Sequence, residues 1–177
     1  ISKNKKTVKI YNTAKKNTFA SYALLKTMRA GILCLGGLVT RYKKAIVSTP
    51  GGCNIGLRKI DFHLSALKKM KMKYKIKKGY VYASVNKNLS GSEIRFPRIS
   101  VGATENILIA ACLAKGTTIL RNCAIEPEIK FDLTNFLIKA GAQIKWIGKR
   151  TVKVKGVKSL KSISYSIMGD RIECGTY

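Results

Sequence analysis

Thr104-Glu105-Asn106-Ile107-Leu108-Ile109-Ala110-Ala111-Cys112-Leu113-Ala114 is apolar at every position after its third. A helix of this composition has no face to give to water and must be enclosed by other elements. A second apolar helical run, Arg29 to Val39, lies upstream. Each run leads to a β-branched strand, Ala45-Ile46-Val47 in one case and Thr117-Thr118-Ile119-Leu120 in the other. Shifted by about 70 residues, the two segments read as versions of one another. Leu67-Lys68-Lys69-Met70-Lys71-Met72, followed by a strand ending near Val81-Tyr82-Ala83, parallels Leu137-Ile138-Lys139-Ala140-Gly141-Ala142, followed by a strand at Val152-Lys153-Val154. Each pair is a helix end running into a hairpin. Asp170 to Tyr177 reads as the opening of a third unit, at the start of a further buried helix.

The strands supply the complementary half of the pattern. Lys71-Met72-Lys73-Tyr74-Lys75-Ile76-Lys77 and Thr151-Val152-Lys153-Val154-Lys155 alternate lysine with apolar residues at period two. Such strands bury one side only and turn their charges to solvent. The assembly consistent with both signals is an α/β fold with buried helices at the centre and sheets outside.

With 177 residues and 46% apolar content, the chain is long enough for one domain with a sizeable core. The formal charge of +27, from 35 basic and 8 acidic residues, is the strongest argument for a nucleic-acid binder. The lysines are spread along solvent-facing strand sides, however, aromatics are only 8%, and no nucleic-acid motif is visible. The charge therefore points to nonspecific polyanion affinity at low salt rather than a dedicated nucleic-acid role. No run of 18 apolar residues and no signal peptide is present, so no membrane role and a cytoplasmic location are expected. Five cysteines with no Cys-x-x-Cys pair and a single histidine offer no metal-binding spacing and agree with a reducing compartment. Cys34 and Cys112, inside apolar helical runs, are expected to be inert core residues.

One loop carries reactive chemistry. In Pro50-Gly51-Gly52-Cys53-Asn54-Ile55-Gly56-Leu57-Arg58 the glycines allow a sharp turn with a thiol at its tip, five residues before an arginine. The stretch stands in order with Lys26-Thr27-Met28-Arg29-Ala30-Gly31, Asp61-Phe62-His63, Arg98-Ile99-Ser100-Val101-Gly102-Ala103-Thr104, Glu126-Pro127-Glu128-Ile129 and Asp170-Arg171-Ile172-Glu173-Cys174-Gly175-Thr176. Together these motifs resemble the enolpyruvyl transferase family that acts on UDP-N-acetylglucosamine, from about Tyr22 to Tyr177.

The resemblance implies an inside-out, or inverted, α/β barrel in which three units of about 70 residues form each of two domains. Residues 1–177 would be most of one domain, truncated at both ends, with the second domain in cis largely absent and the piece inactive alone. It implies phosphoenolpyruvate and UDP-N-acetylglucosamine as substrates and requires no cofactor and no metal. Cys53 would be the general acid that protonates the methylene carbon of phosphoenolpyruvate. Arg58 would clamp phosphate and carboxylate, and Arg29 would contact the nucleotide sugar. Arg29 and Arg58 favour thiolate at Cys53, whereas proton donation needs the thiol, so bound phosphate is expected to offset the cations.

The resemblance further assigns Lys59, Ile60, Asp61, Phe62 and His63 to the uridine and diphosphate. Lys59 stands where the family usually has proline, which removes a fixed φ from that loop. Arg98, Ile99, Ser100, Val101 and Gly102, at a helix N-terminus, would bind the diphosphate, Arg98 replacing the family's usual lysine. An inserted residue is expected near Lys130-Phe131.

The residues also admit plainer roles. Cys53 is then an unreactive loop thiol, Arg58 and Arg29 are solvated arginines, and Ser100 is an ordinary helix cap. Glu126, Glu128, Asp170 and Glu173 are expected to form ion pairs with Arg171 and neighbouring cations rather than to catalyse. At the level of function, the alternatives are the related shikimate-pathway transferase and a degraded, noncatalytic scaffold or polyanion-binding protein of the same fold.

Overall fold

A computed structural model of the chain describes residues 2–3, 6–11, 17–50 and 60–176. A small antiparallel pair, β1 (Ser2–Lys3) and β2 (Val8–Lys9), comes first. Next are β3 (Phe19–Ala20), α1 (Tyr22–Leu25), a 3-10 turn (Arg29–Ile32), α2 (Leu33–Tyr42) and β4 (Lys44–Ser48). Then come α3 (Asp61–Lys69) and the hairpin of β5 (Lys73–Lys77) and β6 (Tyr80–Ser84). The second half runs β7 (Glu93–Arg95), α4 (Val101–Ala111), β8 (Thr117–Arg121), a π-helical turn (Glu128–Leu133), α5 (Thr134–Lys139), β9 (Gln143–Gly148), β10 (Thr151–Lys155) and α6 (Arg171–Thr176).

Two open four-stranded sheets result, ordered β3-β4-β6-β5 and β7-β8-β10-β9. In each, the first two strands are parallel and the rest antiparallel. Neither sheet closes on itself among the described residues. The fold is mixed α/β, as the alternation of helical and strand patterns predicts.

The apolar helices lie where their composition requires. In α4, Ala103, Ile107, Leu108, Ala110 and Ala111 are fully buried, and its outward positions, Glu105 and Ile109, are still half-covered. α4 packs on α2, α3, β8 and β10. Its approach to α2 is close: a Cβ on Gly36 would stand 2.2 Å from Asn106 Oδ1 and 3.3 Å from Ala110 Cβ, so a side chain there would push the helices apart. β10 follows its pattern, with Val152 and Val154 buried and Lys153 and Lys155 exposed.

Three expectations are corrected. β5 is exposed at every position, Tyr74 and Ile76 included: it is the edge strand of its sheet among the described residues, and α3, which packs near it, leaves both side chains open. Cys34 is exposed, since α2 turns Leu35, Gly36, Val39 and Thr40 inward and position 34 falls outside that stripe. α6 has no buried residue, so the helix that opens after Asp170 is exposed rather than enclosed. Near Lys130-Phe131, where an inserted residue is expected, the π-helical turn spans Glu128–Leu133.

Candidate functional site

Cys53, Arg58 and Lys59 lie outside the described residues. The remaining predicted site residues fall into two groups around the N-termini of α3 and α4. Ile60 precedes α3, and its side chain and that of Phe62 pack against the core. Asp61 is exposed in the first turn.

At α4, Ser100 is the N-cap, its Oγ accepting from Ala103 N–H at 3.3 Å, while Thr104 N–H donates to Ser100 O at 3.1 Å. That leaves the N–H groups of Val101 and Gly102 without an acceptor among the described residues. They are open donors at the positive end of an 11-residue helix. Arg98 and Ile99 are exposed just before them, and Arg98 makes no ion pair among the described residues.

His63 joins the two groups. It is 4% exposed, and the edge of its ring faces α4: a Cβ on Gly102 would lie 3.4 Å from His63 Cε1 and 3.6 Å from Nε2. Burial, and then the half-buried Arg29 nearby, lower its pKa to about 4, against a smaller opposing effect of Asp61. The imidazole is therefore neutral at neutral pH. It stands in the first turn of α3 and is buried there.

Asn106, which the apolar reading of α4 passed over, organises this region. Its Oδ1 accepts from Gly36 N–H at 3.0 Å, and its Nδ2 donates to Ile32 O at 3.2 Å and lies 2.9 Å from His63 Nδ1. The carboxamide thus reaches across the first turn of α2 and touches α3 as well. The sequence did hold a signal for it: an asparagine inside an otherwise apolar helix must find partners when buried.

The Glu126-Pro127-Glu128 motif lies beside α4, where Ala124 N–H donates to Thr104 Oγ1 at 3.1 Å. Arg171 pairs with Glu128 at 2.7 Å, as expected, and Asp170 Oδ1 accepts from the N–H groups of Ile172 and Glu173. Glu126 makes no ion pair among the described residues, and one buried carboxylate oxygen on each of Glu126 and Glu128 lacks a hydrogen-bond partner there. Glu105 has its pKa raised, chiefly by burial and then by Glu126 and Glu128. Among the described residues no group of His, Cys, Asp or Glu could hold a metal ion, and no helix is long and apolar enough to cross a membrane.

The mixed α/β fold is that of enolpyruvyl transferase-like structures. The chain belongs to the EPSP synthase (3-phosphoshikimate 1-carboxyvinyltransferase) family, whose model matches residues 1–177. Within it, the chain is 61% identical over 177 residues to the UDP-N-acetylglucosamine 1-carboxyvinyltransferase of Pelagibacter ubique, covering 100% of this chain and 42% of that protein. It is 50% identical over 171 residues to the protein of the same name from Acinetobacter baylyi, covering 97% and 41%. The chain thus spans about two fifths of the length of these curated relatives. Among solved structures, the enolpyruvyl transferase NikO from Streptomyces tendae superposes with a TM-score of 0.68 at 21% identity, over 81% of this chain and 34% of that one. An EPSP synthase from Acinetobacter baumannii gives 0.57 at 21% identity, over 76% and 30%. These two likenesses speak for the fold.

Proposed function

We propose that the chain is part of a cytoplasmic enzyme that moves the enolpyruvyl group of phosphoenolpyruvate to the 3-hydroxyl of UDP-N-acetylglucosamine, a step in peptidoglycan synthesis. The observation that carries this reading is the 61% identity along all 177 residues to a protein of that name. In the reaction, Cys53 gives a proton to the methylene carbon while the sugar 3-hydroxyl adds to the neighbouring carbon. The tetrahedral adduct then loses a methyl proton and inorganic phosphate, which restores the double bond. Arg58 and Arg29 hold the anions, Lys59 to His63 take the uridine side, and Arg98 to Gly102 take the diphosphate. The open amides of Val101 and Gly102 support the last assignment, because paired N–H groups at a helix start suit phosphate oxygens.

The same proposal includes an inverted barrel of repeated units. It is supported by the identical strand order of the two sheets and by partners spaced 70 residues apart across the helix pair, Gly36 with Asn106 and Thr40 with Ala110. Residues 1–177 then form most of one domain, and a second domain in cis completes the site.

The test is phosphate release from phosphoenolpyruvate by the protein encoded by the whole reading frame. Release that requires UDP-N-acetylglucosamine and is lost in Cys53→Ala is expected. Release driven instead by shikimate 3-phosphate, or unchanged in Cys53→Ala, would overturn the reading. Alkylation of Cys53 by a fosfomycin-type epoxide, enhanced by UDP-N-acetylglucosamine, is a second expected outcome.

A further inference from the structure

The hydrogen bonds around Asn106 decide which nitrogen of His63 carries the proton. Gly36 N–H is a backbone donor and must face an oxygen, and Ile32 C=O is an acceptor and must face an N–H. Between them they fix the orientation of the carboxamide without ambiguity: Oδ1 toward Gly36, Nδ2 toward Ile32. The second hydrogen of Nδ2 then points at His63 Nδ1, 2.9 Å away, and that nitrogen must accept. A ring that accepts at Nδ1 is neutral and carries its hydrogen on Nε2. Nε2 has no acceptor among the described residues, and its edge of the ring lies against Gly102, whose own N–H, like that of Val101, is open.

We infer that Asn106 is a positioning residue: by holding His63 in the Nε2–H tautomer, it makes a buried imidazole a third, neutral donor beside the amides of Val101 and Gly102 for a phosphate group bound at the start of α4. That the phosphate belongs to a nucleoside diphosphate rests on the function proposed above. The arrangement itself does not. The charged groups facing the ring are Arg29, from the 3-10 turn, and Asp61, from the first turn of α3. Neither makes the bond that sets the tautomer. A neutral donor suits this place because it contributes a hydrogen bond to the anion without requiring a buried cation when the site is empty.

These 177 residues hold a single histidine, His63, so in the protein encoded by the whole reading frame, labelled with 15N-histidine, its imidazole is the one whose signals disappear in His63→Gln. At pH 7 the expected spectrum has a protonated Nε2 and an unprotonated Nδ1. In Asn106→Asp a carboxylate oxygen replaces the Nδ2 donor, and the proton should move to Nδ1. Should that variant not fold, the parent spectrum alone still decides the tautomer. Uridine diphosphate is then titrated in, with uridine as the control. The diphosphate should shift the Nε2 resonance, uridine should not, and Asn106→Asp should bind uridine diphosphate about tenfold more weakly at a pH where its ring is neutral. A parent ring protonated at Nδ1, or an Nε2 signal indifferent to uridine diphosphate, would overturn the inference. Failure of enolpyruvyl transfer, with tautomer and shift as expected, would instead remove the proposed function and leave this assignment standing.

Discussion

Replacing Gly36 by alanine should destabilise the chain, whereas the same change at Gly37, one residue on in the same helix, should stabilise it. Alanine in place of a helical glycine contributes about 1 kcal/mol through backbone entropy alone. At Gly37 the added Cβ meets only Ile109 Cγ2, at 3.8 Å, an ordinary contact, so most of that gain should survive. At Gly36 the Cβ would sit 2.2 Å from Asn106 Oδ1 and 2.7 Å from Asn106 O. Asn106 O belongs to the backbone and cannot swing away, so α2 and α4 must separate, and the displaced Asn106 side chain also forfeits its contacts to Gly36, Ile32 and His63. Hydrogen bonds contribute about 1 kcal/mol each, and forcing a tightly packed interface apart costs about 1 to 3 kcal/mol. Set against the propensity gain, the net loss is about 3 kcal/mol. Urea unfolding of the two variants beside the parent measures both signs, and a 3 kcal/mol loss lowers the midpoint by about 1 to 2 M. Gly36→Ala at or above parent stability would refute the close interlock of the two helices.

Three further outcomes follow from the same coordinates. With a folded pKa of about 4 against 6.5, His63 stays neutral while the unfolded chain takes up a proton, so stability should fall between about pH 6.5 and pH 4, by about 3 kcal/mol in all; His63→Gln should flatten urea midpoints across that window. Iodoacetamide followed by peptide mapping should label the exposed Cys34 and Cys174 and spare Cys112 and Cys123, whose thiols burial pushes up to about 12; early labelling of either buried thiol would contradict their enclosure. Ser100→Ala removes the cap on Ala103 and should cost about 1 kcal/mol by urea unfolding, a loss that Ser100→Asp should restore.

The legible part of this fold was whatever depends on spacing along the chain. The apolar run at Thr104–Ala114 marked α4, and the lysine alternation at 151–155 marked β10 with its buried valines, because helix and strand periodicity act within a few residues. What escaped depends on which element ends up beside which. Cys34 sits in an apolar stretch, yet the side of α2 that meets α4 is set by Gly36 and Asn106, 70 residues apart. The alternation at 71–77 implied a buried face that β5 lacks, since strand pattern does not reveal an edge. His63 does stand in the first turn of a helix, but its burial and its bond to Asn106 depend on a helix 43 residues further along the chain. Ser100 was read as a cap and is one, because an N-cap is a contact over three positions.

The bare edge of β5 puts the lysine excess in another light. A strand whose outer amides and carbonyls have no partner strand among the described residues, and whose Tyr74 and Ile76 are open to water, is a template on which a second copy could extend the sheet. Lys73, Lys75 and Lys77 line that rim, and two such rims brought together would set like charges side by side. Mutual repulsion is thus a guard against aggregation, effective only over a Debye length, so salt or a polyphosphate that screens it should expose a stickiness the dilute protein conceals.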